Sequence, residues 1–390
     1  MKKEKLLIVS NSFPPYLSPS AVLVNNILSK YKGEMEAIAS NNFNKIDHTF
    51  HAPCKTYYIN TPNIRIIESF LHRFHYLFLP YYYLRILRLT KKTKPTVIFG
   101  NYPNEVMFVA AYLVSKKLRI PFYSYMHDLW EENMKRKGRK KFALKWEEEI
   151  LRNSKRLICC TKFQQDFYKE KYGLDSDILM HPVLDENIDQ FKGFNKKGNS
   201  GEKKIAFVGS LSSSMNEDAL ITISKAINLL PPNFSFYWYP INDIKKAQLE
   251  KKGFDTSRIF IKVLTTDEML REIADADILI APLSFKNCSA YEVKTVFSNK
   301  LLIYLTSGTP IIVFSPKDSF HTELAKQGGW AYVADEDSAE KLAVEIEVLS
   351  LNITLQEQLV KNAISEAKKR TASSQALILH QWVMLDSANS

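Results

Sequence analysis

The 390 residues, 45% hydrophobic and 24% charged, describe an ordinary soluble globular protein with core enough for two or three domains. A formal charge of +11 calls for a negatively charged partner. No zinc-ligand spacing, helix-turn-helix pattern or RNA-binding aromatic motif points to nucleic acid, so phosphate ligands and a membrane surface stand ahead of it. Cys54, Cys159, Cys160 and Cys288 show no paired spacing, and no apolar signal segment precedes the first strand, so a reducing cytoplasm is the expected compartment.

From the N-terminus, Lys5–Ser10 is a predicted strand that leads through Asn11-Ser12-Phe13-Pro14-Pro15 and Ser18-Pro19-Ser20 into a helix over Ala21–Tyr31. Ser20 is placed to cap that helix and to offer an anion site. Further strands are expected at Glu36–Ala39, Thr56–Ile59, Thr96–Phe99, Phe122–Tyr125, Arg156–Cys159 and Asp177–Met180. Helices are expected at Asn104–Lys117, Lys141–Asn153 and Phe163–Tyr172, an alternation that a parallel sheet requires.

Ile66–Lys94 interleaves aromatic and aliphatic residues with Arg73, Arg85 and Arg88 and ends in Lys91, Lys92 and Lys94. It is too charged to cross a membrane. It suits either the interface of an anionic bilayer or a buried helix pair, with Pro80 as a kink or break. Tyr125-Met126-His127-Asp128-Leu129-Trp130 follows a strand, so His127 and Asp128 are expected to face solvent or ligand at the sheet edge. Glu147-Glu148-Glu149 reads as a solvated helix face. Cys159-Cys160 read as small core residues, with no metal expected.

Asp185–Lys203 is polar and Gly- and Asn-rich, and is expected to be a linker between a domain at 1–184 and a second at 204–372. The strand–turn pattern restarts at Lys204–Val208 with Gly209-Ser210 behind it. A helix at Glu217–Leu230 and strands at Phe234–Tyr239 and Ile259–Val263 follow. Asp277–Val313 then reads strand, loop, helix, strand, with Ser298 as helix cap, Lys300 in the first turn and Gly308 at the helix end. Positive helix-start charge at the carboxyl edge of a parallel sheet suits a diphosphate. The same pattern also fits an ordinary strand-helix-strand unit with a solvated lysine. Ser373–Leu385, within a last segment 373–390, is a helix.

The run Asn299-Lys300-Leu301-Leu302-Ile303-Tyr304-Leu305 with Gly308, Pro310, Ile311 and Ile312 resembles the donor-binding segment of GT-B glycosyltransferases, particularly the GT4 group. The His127-Asp128-Leu129-Trp130 segment and the Phe13-Pro14-Pro15 turn resemble the same enzymes. The resemblance implies an α/β GT-B fold, two Rossmann-like parallel-sheet domains facing across a cleft, with the last helix packing back on the first domain. It implies a glycosyltransferase that moves a sugar from a nucleotide-sugar, retaining its configuration, to a glycan or lipid-linked acceptor, as in bacterial surface polysaccharide assembly at the inner face of the cell membrane.

By the same resemblance His127 approaches the transferred sugar and Asp128 orients the loop or acceptor. Gly209, Ser210, Ser298, Asn299 and Lys300 serve the donor, and Pro15 and Ser20 lie on the acceptor or phosphate side. The family's two carboxylates fall at Thr295 and Ile303, with Glu292 the nearest substitute, and the Arg and Lys usual behind Gly209 are replaced by Met215-Asn216-Glu217-Asp218. A nucleotide-sugar epimerase of the same fold, or a non-catalytic subunit binding a partner or glycan, remains open.

Overall fold

A computed structural model describes residues 4–16, 18–41, 46–47, 49–60, 75–134, 136–194 and 201–388. The chain divides into two compact units, Met1–Pro182 with Arg370–Ser390, and Val183–Lys369. Residues 66–74 of the aromatic segment and 195–200 of the polar segment lie outside the described residues.

The first unit is built on strands β1 (Lys5–Ser10), β2 (Glu34–Ser40), β3 (Lys55–Ile59), β4 (Val97–Tyr102), β5 (Phe122–Met126), β6 (Arg156–Cys159) and β7 (Asp177–Ile178). They pair in parallel in the order β3-β2-β1-β4-β5-β6-β7. The order reverses between β1 and β4, the switch point at which open α/β sheets bind ligands beyond their carboxyl ends. β1 is an unbroken apolar run because both of its faces are covered. Leu7 and Val9 join a core with Ile98, Phe108 and Trp130, while Leu6 and Ile8 join another with Leu379 and Val383.

Leu379 and Val383 belong to the final helix, Ala372–Ala388, which packs against the helix Pro19–Leu28. Its Asp386 accepts from the Tyr123 hydroxyl at 2.6 Å and from Arg156 Nε at 2.7 Å, so a charged anchor supplements the apolar contact. Pro80 sits in the first turn of the helix Leu79–Thr93, where its missing N–H has no partner to lose; it starts the helix rather than breaking it.

The second unit has β8 (Lys203–Val208), β9 (Phe234–Tyr239), β10 (Ile259–Ile261), β11 (Ile278–Pro282), β12 (Ile311–Phe314) and β13 (Tyr332–Ala334). These also pair in parallel, in the order β10-β9-β8-β11-β12-β13, with the switch point between β8 and β11. The stretch after Pro182 belongs to this unit and begins with a short helix, Asp185–Asp189.

One reading of the first unit is corrected. Glu147 is not solvated: it is fully buried, its Oε2 accepting from the Glu131 N–H at 2.7 Å. Burial, only partly offset by Lys171, pushes its carboxyl up to about 8. Its neighbours Glu148 and Glu149 are exposed and pair with Arg152 and Lys116.

Candidate active site

At the carboxyl edge of the first sheet, four polar side chains form one directed hydrogen-bond chain that ends on a backbone carbonyl. Ser10 and Asn101 face each other across the β1–β4 switch point. The Ser10 hydroxyl donates its only proton to Ser12 O at 2.8 Å, so it must accept from Asn101 Nδ2 at 2.9 Å. That turns Asn101 Oδ1 toward His127 Nε2, 2.8 Å away, which therefore carries the ring proton. His127 Nδ1 is left as a lone pair and accepts from His181 Nε2 at 3.0 Å. The tautomer follows from the network.

His127 follows β5, Cys160 follows β6 and His181 lies beyond β7, and all three are buried. Gln164 clamps the pair of loops, donating to His127 O at 2.9 Å and accepting from Cys160 N–H at 2.8 Å. Burial and the facing His181 hold the His127 imidazole well below its usual range, and burial with the Arg370 charge lowers His181 to about 3. Both rings are neutral at pH 7. His127 is therefore neutral, with both ring nitrogens engaged. Asp128, beside it, is half-buried.

In the second unit Gly209 follows β8 at a φ of +144°, a conformation side chains disfavour. A Cβ there would also lie 3.1 Å from the Phe207 ring and 3.2 Å from Lys300 Cε. Lys300 is thus laid along the Gly209 turn, its Nζ 5.0 Å from the Phe207 ring centre. No carboxylate among the described residues pairs with it. Burial lowers its ammonium to about 8. The short helix Asn299–Tyr304 that carries Lys300 is tied to β8 by the Val208 N–H, which donates to the Tyr304 hydroxyl at 2.9 Å.

Ser298 occupies the cap position of that helix, but its side chain makes no capping bond. Its N–H instead donates to Nε2 of the buried His321 at 2.9 Å. His321 is lowered to about 3 by burial and the charge of Lys300, so it stays a neutral acceptor. Ser210 is exposed and Asn299 half-buried. In the first unit Ser18, not Ser20, caps the helix Pro19–Leu28, its Oγ accepting from the Ala21 N–H at 3.1 Å. Pro19 has no N–H to satisfy and fits the first helical position, which moves the cap back by two residues. Pro15 is half-buried in the preceding turn and accepts from the Asp47 N–H at 2.9 Å.

Two family models account for most of the chain: Glycosyltransferase Family 4 matches residues 47–180, and Glycosyl transferases group 1 matches residues 202–352. The chain is a GT-B glycosyltransferase. Its fold is shared by sucrose-phosphate synthase from Thermosynechococcus elongatus, at a TM-score of 0.72 and 14% identity over 100% of both chains. HepE of Anabaena in complex with UDP-glucose gives a TM-score of 0.67 and 12% identity over 99% of this chain and 100% of that one. Trehalose-6-phosphate from E. coli bound with UDP-2-fluoro glucose gives 0.67 and 10%, over 97% and 99%. No curated protein matches the sequence.

The glycosyltransferase differs from the GT4 pattern where the two carboxylates would stand. Thr295 is buried and donates its hydroxyl to Tyr291 O at 2.8 Å. Glu292 is bound into a capping box, accepting from the Ser289 N–H at 3.0 Å. Asn101, His181 and His321 escape a reading by residue type. His181 stands between the end of an expected strand and Pro182, a place that a strand stop also fills, and His321 carries no local signal at all. Asn101 had one available cue, a polar residue closing an apolar strand at the switch point.

Proposed function

We propose that the Val183–Lys369 unit binds a nucleoside-diphosphate sugar and that the hexose is transferred to a glycan or lipid-linked acceptor served by the first unit. The observation that carries this reading is Lys300, a half-buried cation beside the Gly209 turn with no carboxylate against it among the described residues. A bound diphosphate supplies the missing anion, with backbone N–H groups of Ser210 and Asn299 as further donors. HepE in complex with UDP-glucose, a protein of the same fold, supports a nucleotide-sugar as the ligand. Glu292 can reach a ribose only by leaving its capping box.

His127 positions the transferred sugar and Asp128 its loop, while Pro15 and Ser20 shape the acceptor side. Because His127 is neutral with both nitrogens engaged, the departing phosphate serves as the base for the acceptor hydroxyl, which favours retention of configuration. Titration calorimetry with UDP, GDP, ADP and TDP tests the donor site. One of them binds, and Lys300→Met weakens it by about 1–3 kcal/mol, the worth of a charge-assisted hydrogen bond. If none binds, the reading fails and a non-catalytic role replaces it.

A membrane-borne acceptor is favoured by a second observation. On the helix Leu79–Thr93 and the turn before it, Leu77 and Leu84 are exposed beside Arg85, Arg88, Lys91 and Lys92, with no acidic partner for these four among the described residues. Leu79, Pro80, Tyr83, Leu113, Lys116 and Lys117 line a depression of about 500 Å³ beside the start of the same helix. No helix among the described residues is long and apolar enough to cross a membrane, so attachment would be peripheral, in keeping with surface polysaccharide assembly. Each basic residue contributes about 1 kcal/mol at an anionic surface, screened by salt. Equal flotation with anionic and neutral vesicles at low salt would remove this part of the reading.

A further inference from the structure

We propose that His127, Cys160 and His181 form a zinc site whose occupancy switches transfer off. The three donor atoms, His127 Nδ1, His181 Nε2 and Cys160 Sγ, all lie within 4.8 Å of one another. The two nitrogens are 3.0 Å apart, and Sγ is 3.8 Å from His127 Nδ1. Zn–N bonds of about 2.05 Å and a Zn–S bond of about 2.3 Å at tetrahedral angles put two nitrogens about 3.3 Å apart and nitrogen and sulfur about 3.6 Å apart. Both distances to His127 Nδ1 lie within a few tenths of an ångström of that spacing, and Cys160 Sγ and His181 Nε2, within 4.8 Å of each other, close on a shared ion by side-chain rotation.

The surrounding network already sets one ligand. Asn101 holds the proton on His127 Nε2, so Nδ1 presents a lone pair to the cluster, as a second-shell acceptor does for a metal-bound histidine. Gln164 fixes the backbone of both His127 and Cys160. Two imidazoles and one thiolate select a borderline-soft ion, zinc, over magnesium or calcium, which prefer oxygen. On binding, the Cys160 thiol leaves Met126 O and releases its proton to solvent, and His181 moves its ring proton from Nε2 to Nδ1. Water fills the fourth position. His127 and His181 each keep 7% exposure, which gives the ion an approach from the sheet edge.

Zinc replaces the His127–His181 hydrogen bond and re-aims the His127 ring, so occupancy lowers turnover; this consequence rests on the positioning role proposed for His127, whereas metal binding itself does not. The test uses the full chain stripped of metal and titrated with Co2+ and then Zn2+. Cobalt produces a thiolate-to-metal charge-transfer band at a single equivalent, and zinc abolishes it. Cys160→Ser removes the band, while Cys54→Ser, Cys159→Ser and Cys288→Ser keep it.

Zinc lowers wild-type turnover at least about tenfold, reversed by chelator, and spares Cys160→Ser. Absence of the band in the wild type, or its survival in Cys160→Ser, overturns the site. Should Cys160→Ser not fold, the wild-type band and its persistence in the other three variants decide the matter. A band with unchanged turnover overturns the switch, and it counts against the role of His127 without touching donor binding at Lys300.

Discussion

Lys171 and Lys300 are both half-buried lysines, one in each unit, and their surroundings are opposite. Lys171 lies 2.9 Å from Glu131 and 3.8 Å from Glu147, and it also pairs with Glu132. Burial works against its charge, but these carboxylates outweigh burial and raise its ammonium above the usual range. Lys300 has an aromatic ring and a glycine turn for neighbours, and burial alone lowers it to about 8. A cation placed for stability is neutralised by its own chain, since an uncompensated buried charge costs several kcal/mol. One left without a counter-ion among the described residues is what the proposed diphosphate site requires. The same contrast separates the closed hydrogen-bond chain around His127 from the open cation at the Gly209 turn.

The largest effect is expected from breaking the neutralised side. Lys171→Met leaves Glu132 without its cation and should lower stability by about 3–5 kcal/mol in urea unfolding, with nucleotide affinity of the folded protein unchanged. A loss below the error of the measurement would mean that the cluster tolerates the charge and that the two lysines do not differ in kind.

His127→Ala comes next. Opening the chain between Asn101 and His181 should cut turnover on the order of 10²-fold while nucleoside diphosphate affinity stays within the calorimetric error, because positioning contributes to rate and the proposed diphosphate site lies in the other unit. A parallel loss of affinity and turnover in a folded variant would show that His127 belongs with the donor.

Lys300→Met should move stability the opposite way from Lys171→Met. A lysine whose folded pKa lies below its unfolded one costs stability below about 8, and the cost is relieved as pH rises from there toward 10.5. The variant should gain about 1–2 kcal/mol at pH 7, a gain that fades by pH 10, while it loses diphosphate binding. In the wild type, affinity should fall as pH rises above about 8, since the anion needs the ammonium form. Destabilisation with unchanged binding would return Lys300 to a structural role.

The smallest effect sharpens the first comparison. Glu147 has its carboxyl raised to about 8 by burial, so the folded state retains a proton that the unfolded state releases near 4.5. Stability therefore drops as pH climbs between those values. Glu147→Gln should be more stable than wild type by about 1 kcal/mol at pH 8, with the two converging toward pH 4.5, as thermal unfolding at both pH values would show. A constant difference across that range would mean that Glu147 does not titrate there.

Much of this molecule was legible along the chain because its sheets are parallel and covered on both faces. Such strands are continuous apolar runs, so β1, β6 and β9 have the limits expected of them, and the restart at β8 marks a second sheet. The proposed donor-site residues were picked out for a related reason: a strand, a glycine turn and a helix start are local features, and Gly209, Ser298 and Lys300 carry them. Glu147 was not, because three successive glutamates leave a helix in different directions, and only packing decides which one points inward.

The sequence by itself determined the strand–helix alternation, the two sheets, and which loops follow the carboxyl ends of strands, since periodicity and turn chemistry act over a few residues. Tertiary structure alone decided which of those loops meet. His127 and His181 are 54 positions apart, and Ser298 and His321 are 23 apart. Their contacts depend on strand order and register, which no local pattern encodes. The protonation of His127, the lowered ammonium of Lys300 and the convergence of Cys160 on two histidines follow from burial and from partners supplied by distant strands, and so exist only in the folded chain.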